Sequence, residues 1–183
     1  MIWVELTEGR FYRVLAPRLA VLVTTIDSQG NSNAAPFSFV MPVSVDPPLV
    51  AIASAHQRHT LANIRETKNF VLNVPPEEIC QALWECSKAF PKGVSEIKES
   101  GLTEVSSKVV KAPRIGECIG WFECELEWEK EAGDHVVIVG RVVKAEVRDE
   151  FFKEGRFNFA TAKPLMHITG KNFAIAEREV LVE

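Results

Sequence analysis

The sequence predicts a mainly β fold, an antiparallel β-barrel carrying a few α-helices on its outside. Two observations lead there. Strand-like runs come first, followed by a helix, a strand, further helices and a long hairpin, which is not the regular alternation that builds a parallel sheet. Prolines interrupt the second arm of the first hairpin, so that arm must sit at a sheet edge or carry a bulge. There is no internal repeat, low-complexity tract or linker composition, so the 183 residues read as one domain spanning 1–183.

Leu19 to Ile26 is a β-rich run, and Asp27-Ser-Gln-Gly-Asn31 is a polar turn. The chain resumes as a strand at Ser32 to Val45, with Pro36 and Pro42 inside it. Asp46-Pro-Pro48 is a turn, and Leu49 to Ser54, apolar on both faces, reads as a central buried strand. Helical spacing follows over Thr60 to Lys68, with Thr60 as the N-cap. Phe70 to Val74 is a strand. Pro75-Pro-Glu-Glu then opens a helix reaching about Lys88, with Ile79, Leu83 and Trp84 on one face. Val94 to Ser100 is a short helix stopped by Gly101. The long hairpin pairs about Gly120–Lys130 with His135–Val147 across Ala132-Gly-Asp134. Residues 149–163 form a polar loop bearing Phe151, Phe152, Phe157 and Phe159 as anchors, and Pro164 to Ala176 is a last strand.

Composition excludes several classes. Hydrophobic residues make up 46% and charged residues 25%, which is ordinary for a globular chain. A net charge of -4 argues against broad nucleic-acid binding, which calls for a basic face. Acids at Glu5 and Glu8 and the lack of an early apolar run argue against a signal peptide, and no stretch suits a bilayer. Cys80 and Cys86, like Cys118 and Cys124, are spaced C-x5-C, which is not zinc or thioredoxin spacing. They read as reduced, packed thiols of a cytoplasmic protein. No metal site is expected. His56 and His59 lie close in sequence with no acid or cysteine completing a site, and His135 and His167 stand alone. No Rossmann, Walker A, H-E-x-x-H or G-x-S-x-G motif occurs.

The chemistry concentrates in two segments. Ser54-Ala-His-Gln-Arg-His-Thr-Leu-Ala-Asn63 leaves a strand and enters a helix, whose first N–H groups and partial positive charge suit an anion. Arg58 adds a guanidinium fork, Thr60 a hydroxyl and Asn63 an amide, so the guest is phosphate-sized. In Asn33-Ala-Ala-Pro-Phe-Ser-Phe39, small residues and a proline leave backbone groups uncovered beside two phenylalanines. A planar heterocycle with hydrogen-bonding edges suits such a strand edge.

These strings have a family resemblance. Asn-Ala-Ala-Pro-Phe-Ser-Phe, Pro-Val-Ser-Val-Asp-Pro-Pro-Leu-Val, His-Thr-Leu-Ala-Asn-Ile-Arg-Glu-Thr, Phe-Val-Leu-Asn-Val and Gly133-Asp-His-Val-Val-Ile-Val-Gly-Arg-Val142 follow in the order found in flavin reductase-like proteins. Phe90 to Thr103 and Ala112 to Cys118 resemble the branch containing flavoredoxin and archaeal ferric reductase. The resemblance runs from about residue 11 to 175.

It implies an FMN-binding split β-barrel acting as a homodimer, with the flavin near the subunit interface. By that resemblance the backbone of Ala35, Pro36, Phe37, Ser38 and Phe39 lines the flavin ring, and Asn33 is a further cofactor-binding residue. Ser54, Arg58, His59, Thr60 and Asn63 hold the ribityl chain and phosphate, with either Arg58 or His59 reaching the phosphate. His135 is implied as a nicotinamide-positioning residue. The implied activity is an NAD(P)H-dependent flavin or ferric reductase, with NADH or NADPH passing a hydride to flavin N5. The alternative is a non-catalytic FMN electron carrier of flavoredoxin type. A thiol partner for the flavin at Cys80 or Cys86 is less economical than simple packing.

Overall fold

The computed structural model describes residues 3–6, 9–91 and 93–182. Its centre is a seven-stranded antiparallel sheet. In chain order its strands are β2 (Val21–Ile26), β3 (Ser32–Phe37), β4 (Val40–Ser44), β5 (Leu49–Ala55), β6 (Asn69–Val74), β9 (Gly120–Ala132) and β10 (His135–Val147). Across the sheet the order is β3-β2-β6-β9-β10-β5-β4. The two edge strands, β3 and β4, are consecutive in sequence and joined by Ser38 and Phe39 alone. Two linking residues reach at most ~10 Å, whereas a flat sheet of seven strands would part its edges by ~29 Å. The sheet must therefore curl until its edges meet. Among the described residues no ladder zips β3 to β4, so the barrel is split along that seam.

Pro36 and Pro42 sit on these two edges, where a missing N–H costs no ladder bond, and a register break follows Pro42. The hairpin of β2 and β3 pairs Val21 with Phe37 through Ile26 with Ser32. The reading of Ser32 to Val45 as one arm is corrected to two strands, because the chain crosses the seam at Ser38. β5 lies next to an edge and not in the centre of the sheet; Ala51, Ile52 and Ser54 are buried and its other residues half-buried. β2 and β6 are the strands buried on both faces.

Period-two alternation divides β2 between two cores. Val21 and Val23 face the barrel interior with Ile52, Phe70, Leu72, Val136 and Ile138. Ala20 and Leu22 face outward to Ile79, Leu83, Ile97, Ile115 and Leu165. Helix α1 (His59–Thr67) closes the interior with Leu61 and Ile64. It ends at Lys68, which takes a left-handed conformation (φ 60°) and donates its N–H to Ile64 O at 2.9 Å.

The outer layer is more broken than its sequence suggests. The segment opened by Pro75 and Pro76 splits into a 3-10 turn, Glu77–Ile79, and α2 (Cys80–Glu85), and does not run as one helix to Lys88. Short α3 (Glu96–Glu99) precedes Gly101 at φ 73°. β7 (Glu104–Val105) pairs with β8 (Arg114–Ile115). In the loop between them Lys108, Val109 and Val110 donate backbone N–H groups to Glu123, whose carboxylate also meets Arg114. Burial pushes the Glu123 carboxyl up, but those donors hold it below the usual range.

Residues 149–163 are not a plain loop. They form the ribbon of β11 (Phe152–Lys153) and β12 (Arg156–Phe157) and one turn of helix, α4 (Phe159–Ala162). Pro164 to Ala176 is a hairpin, with β13 (Leu165–Thr169) returning as β14 (Asn172–Ile175) around Gly170. A two-residue strand β1 (Arg18–Leu19) adds to β13, pairing Arg18 with His167. No helix is long and apolar enough to cross a membrane among the described residues.

Candidate functional site

One large cavity, about 920 Å³, opens where the barrel seam meets the start of α1. This is near the upper end of small-molecule sites. Its walls come from separate stretches of chain. The end of β3 and the seam turn supply Asn33 and Ala35 to Phe39, and the end of β5 supplies Ala53 to Ala55. The approach to α1 supplies Gln57 to Thr60, and the tip of the long hairpin supplies Asp134 and His135. The outer layer adds Cys86 to Phe90 and Glu96, and the mouth adds Phe11, Tyr12, Arg18 and His167.

The strand–helix junction has the features of an anion site. Arg58 is the N-cap of α1 with extended dihedrals (φ -125°, ψ 138°) and no side-chain capping bond. Its carbonyl takes the N–H of Ala62 at 3.2 Å, which leaves the N–H groups of His59, Thr60 and Leu61 without an intrahelical acceptor. Both side chains line the cavity beside those N–H groups, and the charge of His59 acts on the Glu96 carboxyl nearby.

Thr60 is not the N-cap expected of it. It lies inside the first turn, 1% exposed, and its hydroxyl meets the Asn33 amide at 3.2 Å. With that amide oriented to satisfy both its ends, Asn33 Nδ2 donates to Glu96 Oε1 at 3.2 Å. Glu96 Oε2 accepts the Ala34 N–H at 3.1 Å. This chain ties α3, β3 and α1 together in the cavity wall, and burial raises the Glu96 carboxyl pKa.

The remaining expected residues divide as follows. Ala35, Pro36, Phe37, Ser38 and Phe39 form one continuous side of the cavity, and Ser54 lies across from them on β5. Asn63 is not with them. It is 6% exposed and donates to Thr25 Oγ1 at 3.1 Å, tying α1 to β2; one turn after Thr60 it shares that residue's buried face but lies further along the helix than the cavity reaches. His135 pairs in register with Ala55, and its Nδ1 lies 2.7 Å from Asp134 Oδ1. That hydrogen bond holds the Asp134 carboxyl below its usual range. The His135 ring packs on Phe39, centroids 5.4 Å apart.

Tyr12, Arg18, Glu96 and His167 are cavity residues that sequence reasoning missed. Tyr12, Arg18 and His167 come from segments with no motif, Glu96 from a family-like string that gives it no role, and only the fold brings them to the cavity. His167 Nδ1, for example, lies 3.1 Å from Ser38 Oγ. The four cysteines are free, as their spacing suggests, and burial raises the thiol pKa of each. Cys86 touches the cavity; Cys80 does not. Phe152 and Phe157 pair across the outer ribbon, exposed and away from the cavity lining. No cluster of three or more metal-ligating side chains occurs among the described residues.

Fold and site together define a split-barrel protein with a large open cavity at its seam, lined on one side by the Ala35–Phe39 strand edge and on another by the start of α1. The chain matches the flavin reductase like domain over residues 13–176 and belongs to that family. An uncharacterized protein of Methanothermobacter thermautotrophicus is 36% identical over 160 residues, covering 84% of this chain and 76% of that one. A flavin reductase of Pseudomonas putida is 30% identical, covering 86% of this chain and 89% of its own. The crystal structure of nitrilotriacetate monooxygenase component B from Bacillus cereus superimposes with a TM-score of 0.89 at 27% identity, covering 100% of this chain and 98% of that one.

Proposed function

We propose that the cavity binds FMN and that the protein is an NAD(P)H-dependent flavin or ferric reductase. The observation that carries this reading is the pairing of an anion cradle at Arg58–Thr60 with the flat edge Ala35–Phe39 in one cavity of about 920 Å³. The residues present fit the group. Unpartnered helix N–H groups and the Arg58 fork suit its phosphate. Ala35 and Pro36 leave room for a ring against the strand edge. The P. putida flavin reductase and the B. cereus monooxygenase component support the same direction.

In this reading bound flavin supplies hydride acceptance from a nicotinamide and onward electron transfer. The chain's own residues bind, orient and exclude water. Arg58 and the first turn of α1 hold the phosphate. The network of Glu96, Asn33 and Thr60 keeps that turn docked against β3. His135, steadied by Asp134 and Phe39, positions the nicotinamide. In this reading the donor docks at the cavity mouth, where His135, Phe39 and Arg18 line the opening.

The working unit of this reading is a homodimer. Edge strand β4 exposes Met41 and Val43, and the 3-10 turn Phe11–Leu15 exposes Phe11, Val14 and Leu15. Tyr12 and Phe39, whose ring centroids lie 6.0 Å apart, connect the two. Apolar groups exposed together in this way mark association surfaces.

The test is the absorbance spectrum of the purified protein with and without added FMN, followed by NADH and NADPH oxidation. A flavin spectrum and FMN-dependent turnover are expected. Protein that remains colourless after FMN addition rejects the reading. Bound FMN without turnover selects the electron-carrier alternative.

A further inference from the structure

At the cavity mouth the Arg18 guanidinium lies near two aromatic rings, Tyr12 and Phe39. It enters from β1, where it pairs with His167. Its guanidinium carbon lies 5.7 Å from the Tyr12 ring centroid and 5.6 Å from that of Phe39. Nη1 donates to Tyr12 O at 2.8 Å. Nε is fully buried and has no hydrogen-bond partner, and among the described residues no carboxylate pairs with this side chain. A guanidinium carries five donors and is always charged. The guanidinium is half-buried beside an open cavity with no carboxylate to neutralise it, so an anion entering the cavity gains a charge-assisted partner there. The phosphate expected at Arg58 is not that anion, because Arg18 comes from a different wall, next to Phe39 and the seam.

The adjoining surface says what kind of anion. The Phe39 ring lies beside both the Arg18 guanidinium and the His135 ring, the latter 5.4 Å away and tilted by 42°, so the three make one surface. A flat ring can rest on that surface while a charged group attached to it reaches the guanidinium fork.

We propose that Arg18 anchors the anionic group of the second ligand of this cavity, an aromatic substrate carrying a phosphate or a carboxylate. This rests on the first ligand being the flavin. Two sources share that chemistry: the diphosphate of a nicotinamide dinucleotide, and the carboxylate of an aromatic acid that accepts electrons.

The test compares Arg18→Gln and Arg18→Lys with the parent, all loaded with FMN. Each is titrated with NADP+ and with benzoate while the bound-flavin absorbance is followed. Steady-state oxidation of NADPH is compared with that of 1-benzyl-1,4-dihydronicotinamide, which has no anionic group. In Arg18→Gln the anionic ligand is expected to bind about 10- to 100-fold more weakly. FMN affinity and benzyl-dihydronicotinamide turnover should stay at parental values, and Arg18→Lys should recover part of the loss. The titration that weakens, NADP+ or benzoate, identifies the source. The proposal is overturned if neither ligand perturbs the parent's flavin, if both donors slow equally, or if the variant's FMN affinity falls. Failure of the parent to hold FMN at all would reject the flavin reading itself.

Discussion

Arg58 and His59 stand side by side at the start of α1, and their chemistry differs in ways a binding measurement can separate. Arg58 carries a permanent charge and a planar fork, whereas an imidazole offers a single N–H at a time near neutral pH unless protonated. Arg58→Ala is expected to weaken FMN binding about tenfold or more, as measured by quenching of flavin fluorescence. Arg58→Lys should retain the charge and part of the affinity. An unchanged dissociation constant in Arg58→Ala would move the phosphate to His59 or to the helix N–H groups alone. The sequence marks both residues, because a basic pair beside a strand–helix junction has a local meaning. Glu96 is the opposite case. It lies in a short helix whose sequence does not reveal that its carboxyl turns inward to Ala34 and Asn33.

At the scale of elements, the long hairpin shows how close packing fixes a residue type. Gly140 on β10 lies over Phe70 of β6, and a β-carbon there would come within 2.8 Å of Phe70 Cε1 and 3.0 Å of Cys124 Cβ. Phe70 is fully buried and has no free volume to retreat into. Gly140→Ala should therefore destabilise the protein by about 1–3 kcal/mol, seen as a fall of roughly 2–10 °C in Tm. Adding Phe70→Leu should restore part of the loss. If Gly140→Ala melts with the parent, Gly140 of β10 does not pack on Phe70 of β6 at this spacing. The turn of the same hairpin was readable in advance, because Gly133 takes a positive φ of 67° that Ala132-Gly-Asp134 announces.

The whole molecule presents an apolar edge that a monomer would leave wet. Met41 is 60% and Val43 44% exposed on β4. In the homodimer proposed above, Val43→Glu puts a charge into the contact. The parent should sediment at twice the chain mass and the variant at the chain mass, with the variant's fold unchanged by circular dichroism. A parent that sediments as a monomer at all concentrations rejects the dimer.

Local pattern alone determined much of this protein. Apolar runs located most of the central strands, and Pro36 and Pro42 marked edges because a residue without an N–H fits nowhere else in a sheet. The junction at Arg58–Thr60 drew the proposal of an anion site because helix N-termini are electropositive by construction. Tertiary structure decided the rest. Two residues, Ser38 and Phe39, span the barrel seam because strand order, invisible to periodicity, makes β3 and β4 the two edges of one curled sheet. Asn63 turned to the core, where its amide finds Thr25. Arg18 and His167 joined the cavity because β1 pairs with β13 nearly 150 residues away. Side-chain direction and long-range pairing depend on the packing of all the elements at once, and no local window of sequence contains that information.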